Sequence, residues 1–177
     1  MDAAQHLMLD DGYAAVTARR VAARAGVSPQ LVHYYFTSMD DLFVAVVRRG
    51  EAQSLARLEQ AFGSSRPLHA LWAISSDPRA TALSTELLSL ARHRKDVARA
   101  VADSAERFRL AQEEFVAAAL ARAGIDPATL PAGAALVFLA GVARVTVIEQ
   151  GIGMTTGHDE ALAVVERVLA QIEATNA

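Results

Sequence analysis

The sequence predicts an all-α protein of about nine helices, a small three-helix segment at the N-terminus followed by a larger helical region. Strand-like alternation is nearly absent, whereas apolar residues recur at three- and four-residue spacing along most of the chain. Of the 177 residues 53% are hydrophobic and few are aromatic, a composition suited to packed helices and unlike that of a disordered chain. Gly, Pro and capping residues cut the pattern into segments of helical length.

The first helix is under way at Met1 and stops near Gly12. Thr17 caps a helix of about nine residues that ends at Gly26, and Ser28-Pro29 opens another that ends about Phe36. Ser38, followed by Asp40 and Asp41, begins a longer helix with acids in its first turn. The stretch GSSRP, residues 63–67, is the sharpest break. A domain boundary is expected within the helix before it, dividing the chain into residues 1–47 and 48–177. Beyond the break come a short helix from Pro67 to Ser75 and one from Asp77-Pro78 to about Arg94. A long helix follows over about 96–123, then one near Pro131–Gly151, and a last over about Asp159–Thr175.

A net charge of −3 gives the molecule no bulk attraction to nucleic acid or acidic lipid, so any such affinity has to be local. With no cysteine, disulfides and thiolate metal sites are excluded. The longest apolar run, from Ala132 past Arg144 to Ile148, falls short of the roughly 20 residues a membrane span needs. The acidic N-terminus is unlike a signal peptide. The expectation is a soluble, cytoplasmic protein without a membrane partner.

One segment departs from this balance. Residues 12–37 hold Arg19, Arg20 and Arg24, the adjacent Tyr34 and Tyr35, His33, and no acid. Two short helices joined by a tight Gly turn make a helix-turn-helix, whose second helix can enter a DNA major groove. Ala22 is the small residue the helix pair needs, and Gly26 sits where the backbone turns left-handed. Val21, Ala25, Val27, Val32 and Tyr35 are expected to face inward, leaving Gln30, Leu31, His33, Tyr34 and Thr37 outward. Backbone N–H groups at Thr17 and Ser28, tyrosine hydroxyls and arginines such as Arg19 suit phosphate, and Gln30 suits an adenine edge. The competing reading is an ordinary helical hairpin with the tyrosines as packing.

The stretch GYAAVTARRVAARAGVSPQLVHYYFTSMDDLFVAVV resembles the DNA-binding domain of TetR-family transcriptional regulators. The shared elements are Gly12, Thr17, Val21-Ala22, Ala25 through Ser28, Tyr35-Phe36, Ser38 and Leu42, within about the first 47 residues. His33 stands where that family usually has tyrosine, and Met39 where it has a phosphate-binding lysine. The family's first helix also starts earlier, often behind a basic arm. The resemblance implies a homodimeric regulator, a repressor released from a palindromic operator on double-stranded DNA by a small effector. The rival is a helical ligand-binding or scaffolding dimer with a weakened DNA module.

In such a protein the second domain binds the effector and forms the dimer. The helix near 131–151 is apolar nearly all round and has to be covered on two sides. Val137, Gly141, Arg144 and Ile148 lie on one face, and the last helix adds Leu162, Val165, Leu169 and Ile172; together they are the expected dimer surface. Along the long helix, Ser104, Phe108 and Phe115 face inward, and Trp72, Leu87, Leu90 and Phe138 complete an apolar wall. The expected ligand is largely apolar and is oriented by Ser104, Glu86 or Glu149. Core packing is the plainer account of each of these residues. The adjacent acid pairs Asp10-Asp11, Asp40-Asp41 and Glu113-Glu114 read as solvated faces. No motif suggests a metal, a cofactor or catalysis.

Overall fold

A computed structural model describes residues 1–175. Among them are nine α-helices, one 3-10 turn and no strand: α1 (Asp2–Asp11), the turn Tyr13–Ala15, α2 (Ala18–Ala25), α3 (Pro29–Tyr35) and α4 (Met39–Phe62). They continue with α5 (Pro67–Ser75), α6 (Pro78–Ala91), α7 (Lys95–Arg122), α8 (Ala132–Gly151) and α9 (His158–Thr175). The caps read from the sequence are made. Thr17 Oγ1 accepts from the Arg20 N–H at 3.3 Å, and Ser28 Oγ accepts from the Leu31 N–H at 3.3 Å. Before α4, the Ser38 N–H donates to Asp41 at 2.8 Å while the Asp41 N–H donates to Ser38 Oγ at 3.1 Å, a reciprocal cap.

The helices group into two compact units. The first takes residues 1–53 together with 82–106, so the C-terminal part of α6 and the start of α7 belong with the N-terminal helices. Its core joins Leu7, Met8, Val21, Ala22, Val32, Leu42, Phe43 and Val46 to Leu90 and Val97. Leu83, Leu87 and Val101 pack on the same cluster. A 47-residue segment has little interior of its own, and here α6 and α7 supply part of it.

The second unit takes residues 54–81 and those from Arg107 onward. Leu58, Leu68, Leu71, Val116, Leu120, Leu136, Leu169 and Ile172 form its core, and Phe62 stacks on Phe115 with ring centres 3.9 Å apart. α5 packs on both α8 and α9. The N-terminus of α5 has no cap from its own Arg66; Glu173 of α9 replaces it, accepting from the N–H groups of Leu68 at 2.7 Å and His69 at 3.2 Å. Arg66 reaches from α5 to Glu173 at 3.3 Å and to Glu166 at 3.1 Å.

The hydrogen bond from Arg66 holds the Glu166 carboxyl below its usual 4.5, and the same bond raises the guanidinium. A carboxyl lowered in the folded state stabilises the fold above its unfolded value, and that stabilisation is lost as pH falls through the folded one. The thermal midpoint is therefore expected to fall below about pH 4.5. In Arg66→Gln that part of the pH dependence is absent, which differential scanning calorimetry at pH 3 to 6 checks. Both groups are exposed, so the effect is small and screened by salt.

The outer faces of α8 and α9 differ from expectation. Leu169 is buried in the second core, and Val165 packs against it with Ile172, so these residues are interior rather than surface. Val164 and Val168 are the apolar residues α9 leaves exposed. The larger apolar stripe of α9 is used by the protomer's own core, and the smaller one remains outside. On α8, Val137, Gly141, Arg144 and Ile148 are exposed as expected, joined by Phe138 and Val145. As an intact 20-residue helix of mean hydropathy 1.7 over its most apolar window, α8 is long and apolar enough to cross a membrane. It instead packs on α5 and α9 and carries the exposed Arg144 at mid-length.

Candidate nucleic-acid interface

The first unit presents α3 outward because local chemistry leaves it little choice. Gly26, at φ 69° and ψ 29°, ends α2 in the left-handed region that only glycine adopts without cost. Its N–H, with that of Val27, closes the last turn of α2. Ser28 caps and Pro29 starts a helix of seven residues, short enough for one side chain, Val32, to anchor it in the core. Gln30, Leu31, His33, Tyr34, Tyr35 and Thr37 are then exposed.

Tyr35, expected to face inward, is 69% exposed, and Tyr34 is 82% exposed. Their rings meet edge to face at 5.3 Å. The helix ends at Phe36, whose extended backbone turns that ring into the core and takes the inward place. Ala25 and Val27 are also exposed, since the Gly26 turn lies on the surface; Val21 and Ala22 carry the α2–α3 contact. The result is an aromatic, amide and imidazole surface with no carboxylate on α3 itself.

Charge is the larger surprise. Arg20 pairs with Asp11 at 2.8 Å and Arg24 with Asp10 at 2.5 Å, so two of the segment's three arginines are engaged by the end of α1. Asp10 and Asp11 are therefore ion-pair partners, not a bare solvated face. Two carboxylates in the last turn of a helix oppose its dipole, and that mismatch was the signal that they answer to cations elsewhere. Asp40 pairs with Arg94, and Asp41 serves the Ser38 cap. Arg19 is exposed and makes no polar contact among the described residues. Arg48 is also exposed, and with Tyr35 and Arg49 it lines an open cleft of about 570 Å³. It was missed because it falls one residue past the expected boundary. Met39 packs partly buried against the core and offers phosphate nothing.

Glu86 has a different place from the one expected. Its Oε2 accepts the Tyr13 N–H at 2.7 Å, across 73 residues, and lies 3.6 Å from where a Gly12 side chain would begin. It steadies the turn between α1 and α2 rather than facing a ligand. Of the other expected ligand residues, Leu87 and Leu90 lie in the first core, and Ser104 belongs to the same unit. Trp72, Phe108 and Phe115 pack on the second core. Phe138 is 67% exposed on α8 and completes no interior wall. Glu149 is bonded to His158 at 2.7 Å. None of the nine lines the cleft beside Tyr35 or the one at the α5 N-terminus.

A capped pair of short helices joined by a left-handed glycine, with an exposed aromatic second helix, has the geometry of a helix-turn-helix. The N-terminal profile of the tetR family of bacterial regulatory proteins matches residues 1–46. The HTH-type transcriptional regulator BetI of Rhizobium meliloti is 46% identical over 48 residues, which are 27% of this chain and 24% of that one. That match thus spans about a quarter of the curated relative's length.

The fold extends much further than the sequence match. A transcriptional regulator from Rhodococcus sp. Rha1 superposes with TM-score 0.68 at 20% identity, over 98% of this chain and 90% of that one. The fatty acid degradation regulator FadR of Bacillus halodurans gives 0.68 at 15% identity, over 97% and 90%. The multidrug binding protein EbrR, solved with imidazole, gives 0.59 at 26% identity, also over 97% and 90%.

Proposed function

We propose that this chain is a sequence-specific transcriptional regulator that binds DNA as a homodimer. The observation that carries this reading is the capped α2–Gly26–α3 unit with its exposed, acid-free α3, in residues that match a DNA-binding family. Residues 1–47 hold the DNA-binding surface: Thr17, Arg19, Ser28, Gln30, His33, Tyr34, Tyr35 and Thr37, to which Arg48 is added. Residues 48–177 hold the dimer surface and a site for a small, largely apolar effector. The exposed stripe of Val137, Phe138, Gly141, Val145 and Ile148 on α8, with Val164 and Val168 on α9, supports an isologous dimer. Two α3 helices about 34–36 Å apart then fit successive major grooves of a palindromic operator. The regulator acts as a repressor in the cytoplasm, and the effector releases it by binding the DNA-free conformation more tightly.

Selection of random duplexes by the full-length protein tests this reading, and a palindromic motif is expected. Failure to recover one, even at low salt, favours the ligand-binding dimer with a weakened DNA module, which the pairing of Arg20 and Arg24 and the apolar Met39 would explain. On the selected operator, Gln30→Ala is expected to relax preference at one base position by about 1–3 kcal/mol. Uniform weakening across all sequences instead makes Gln30 a backbone contact.

A further inference from the structure

Three polar side chains within five residues of α7 lack partners among the described residues. Arg109 has its Nη1 sealed from solvent with no acceptor. Gln112 is only 7% exposed yet makes no hydrogen bond among the described residues. Glu113 lies against the start of α8, with Oε1 3.2 Å from the position a Gly133 side chain would take, and it forms no ion pair with Arg109. Arg109 and Gln112 share the helix face that carries the buried Val116 and Leu120 one and two turns on. Phe108 and Phe115 flank them, and Phe115 is stacked on Phe62.

A buried donor without an acceptor is disfavoured. Such a group signals a partner that the protein chain does not supply. The surroundings specify that partner. The guanidinium fork suits a carboxylate, the Gln112 amide offers a further N–H, and the aromatic rings on either side suit an apolar body.

We propose that Arg109, with Gln112, anchors the carboxylate of a small amphipathic acid whose apolar part packs toward Phe108 and Phe115. This rests on the ligand-responsive reading above and gives its effector a chemical class.

The test uses the full-length protein and two fluorescent probes that differ only in charge, parinaric acid and its methyl ester. The wild type is expected to bind the acid about tenfold or more tightly than the ester. Arg109→Met loses that preference while its ester affinity stays within about twofold, and Arg109→Lys keeps part of it. Without probe, Arg109→Met is expected to hold or raise the thermal midpoint, because a sealed donor without an acceptor has been removed. If it does not fold, Arg109→Lys and Gln112→Leu carry the same comparison.

Equal binding of acid and ester, parallel loss of both in Arg109→Met, a lowered midpoint in that variant, or no binding of either probe each overturns the assignment. Charge-selective binding that leaves operator affinity unchanged upholds Arg109 as the anchor and counts instead against effector-driven release.

Discussion

Replacing Asp10 and Asp11 together by Asn is expected to strengthen DNA binding by about tenfold or more near 0.1 M salt. The two carboxylates lie 2.5 Å from Arg24 and 2.8 Å from Arg20, so each neutralises a cation in the segment proposed to bind DNA. Removing them frees two guanidinium groups for phosphate and removes two repelling charges. The slope of log affinity against log salt should steepen by up to about two, since each phosphate neutralised contributes about −0.9. Stability should change little, because exposed pairs of this kind contribute about 0–1 kcal/mol. Asp96→Asn is the control: it makes half that change of charge where the partner, Arg99, is one helical turn away on α7. Fluorescence anisotropy across a salt series reads both quantities, and an unchanged slope would rule out the idea that α1 restrains these arginines.

The second large effect is expected at Val145→Glu, which should convert a dimer to monomers in sedimentation velocity. Val145 is 51% exposed in the protomer, between Phe138 at 67% and Ile148 at 43%, with Val164 and Val168 similarly bare on α9. An apolar stripe of this extent marks an association surface. Gly141 has nothing within 4 Å of where its side chain would begin, leaving room for close approach by a partner. A carboxylate at the centre of such a contact would be buried without a counter-charge. Because Val145 makes little use of the protomer's core, the monomer should keep its helix content and melting cooperativity. Operator affinity should fall by about 10²–10⁴, the effective-concentration gain from linking two half-site readers. An unchanged sedimentation profile for both Val145→Glu and Gly141→Arg places the interface elsewhere.

What could be read from the chain in advance depended on how far each residue's partner lay along it. Thr17, Gly26, Ser28 and Pro29 act on neighbours within four residues, so the helix-turn-helix and its caps were legible to within a residue. The face of Tyr35 was not, because it turned on Phe36 leaving the helix and taking the inward place. Asp10 and Asp11 were misjudged for lack of knowing which cations would come to lie beside them. Glu86 went astray for the same reason, since its partner is 73 residues away. On α9 the stronger apolar stripe was assigned to a partner subunit although the protomer's own core claims it, leaving Val164 and Val168 unnoticed. Arg109 and Gln112 stayed hidden because a missing hydrogen bond can be seen only after folding.

The Tyr13–Glu86 bond and the packing of Leu90 and Val97 among the N-terminal helices bear on portability. The proposed DNA-binding surface is not a detachable cassette. Moving the first 47 residues onto another scaffold would strand the Tyr13 N–H and bare the side of Leu42, Phe43 and Val46 that the later helices cover. A working transplant has to carry residues 82–106 as well, which makes the first unit discontinuous in the gene though continuous in space.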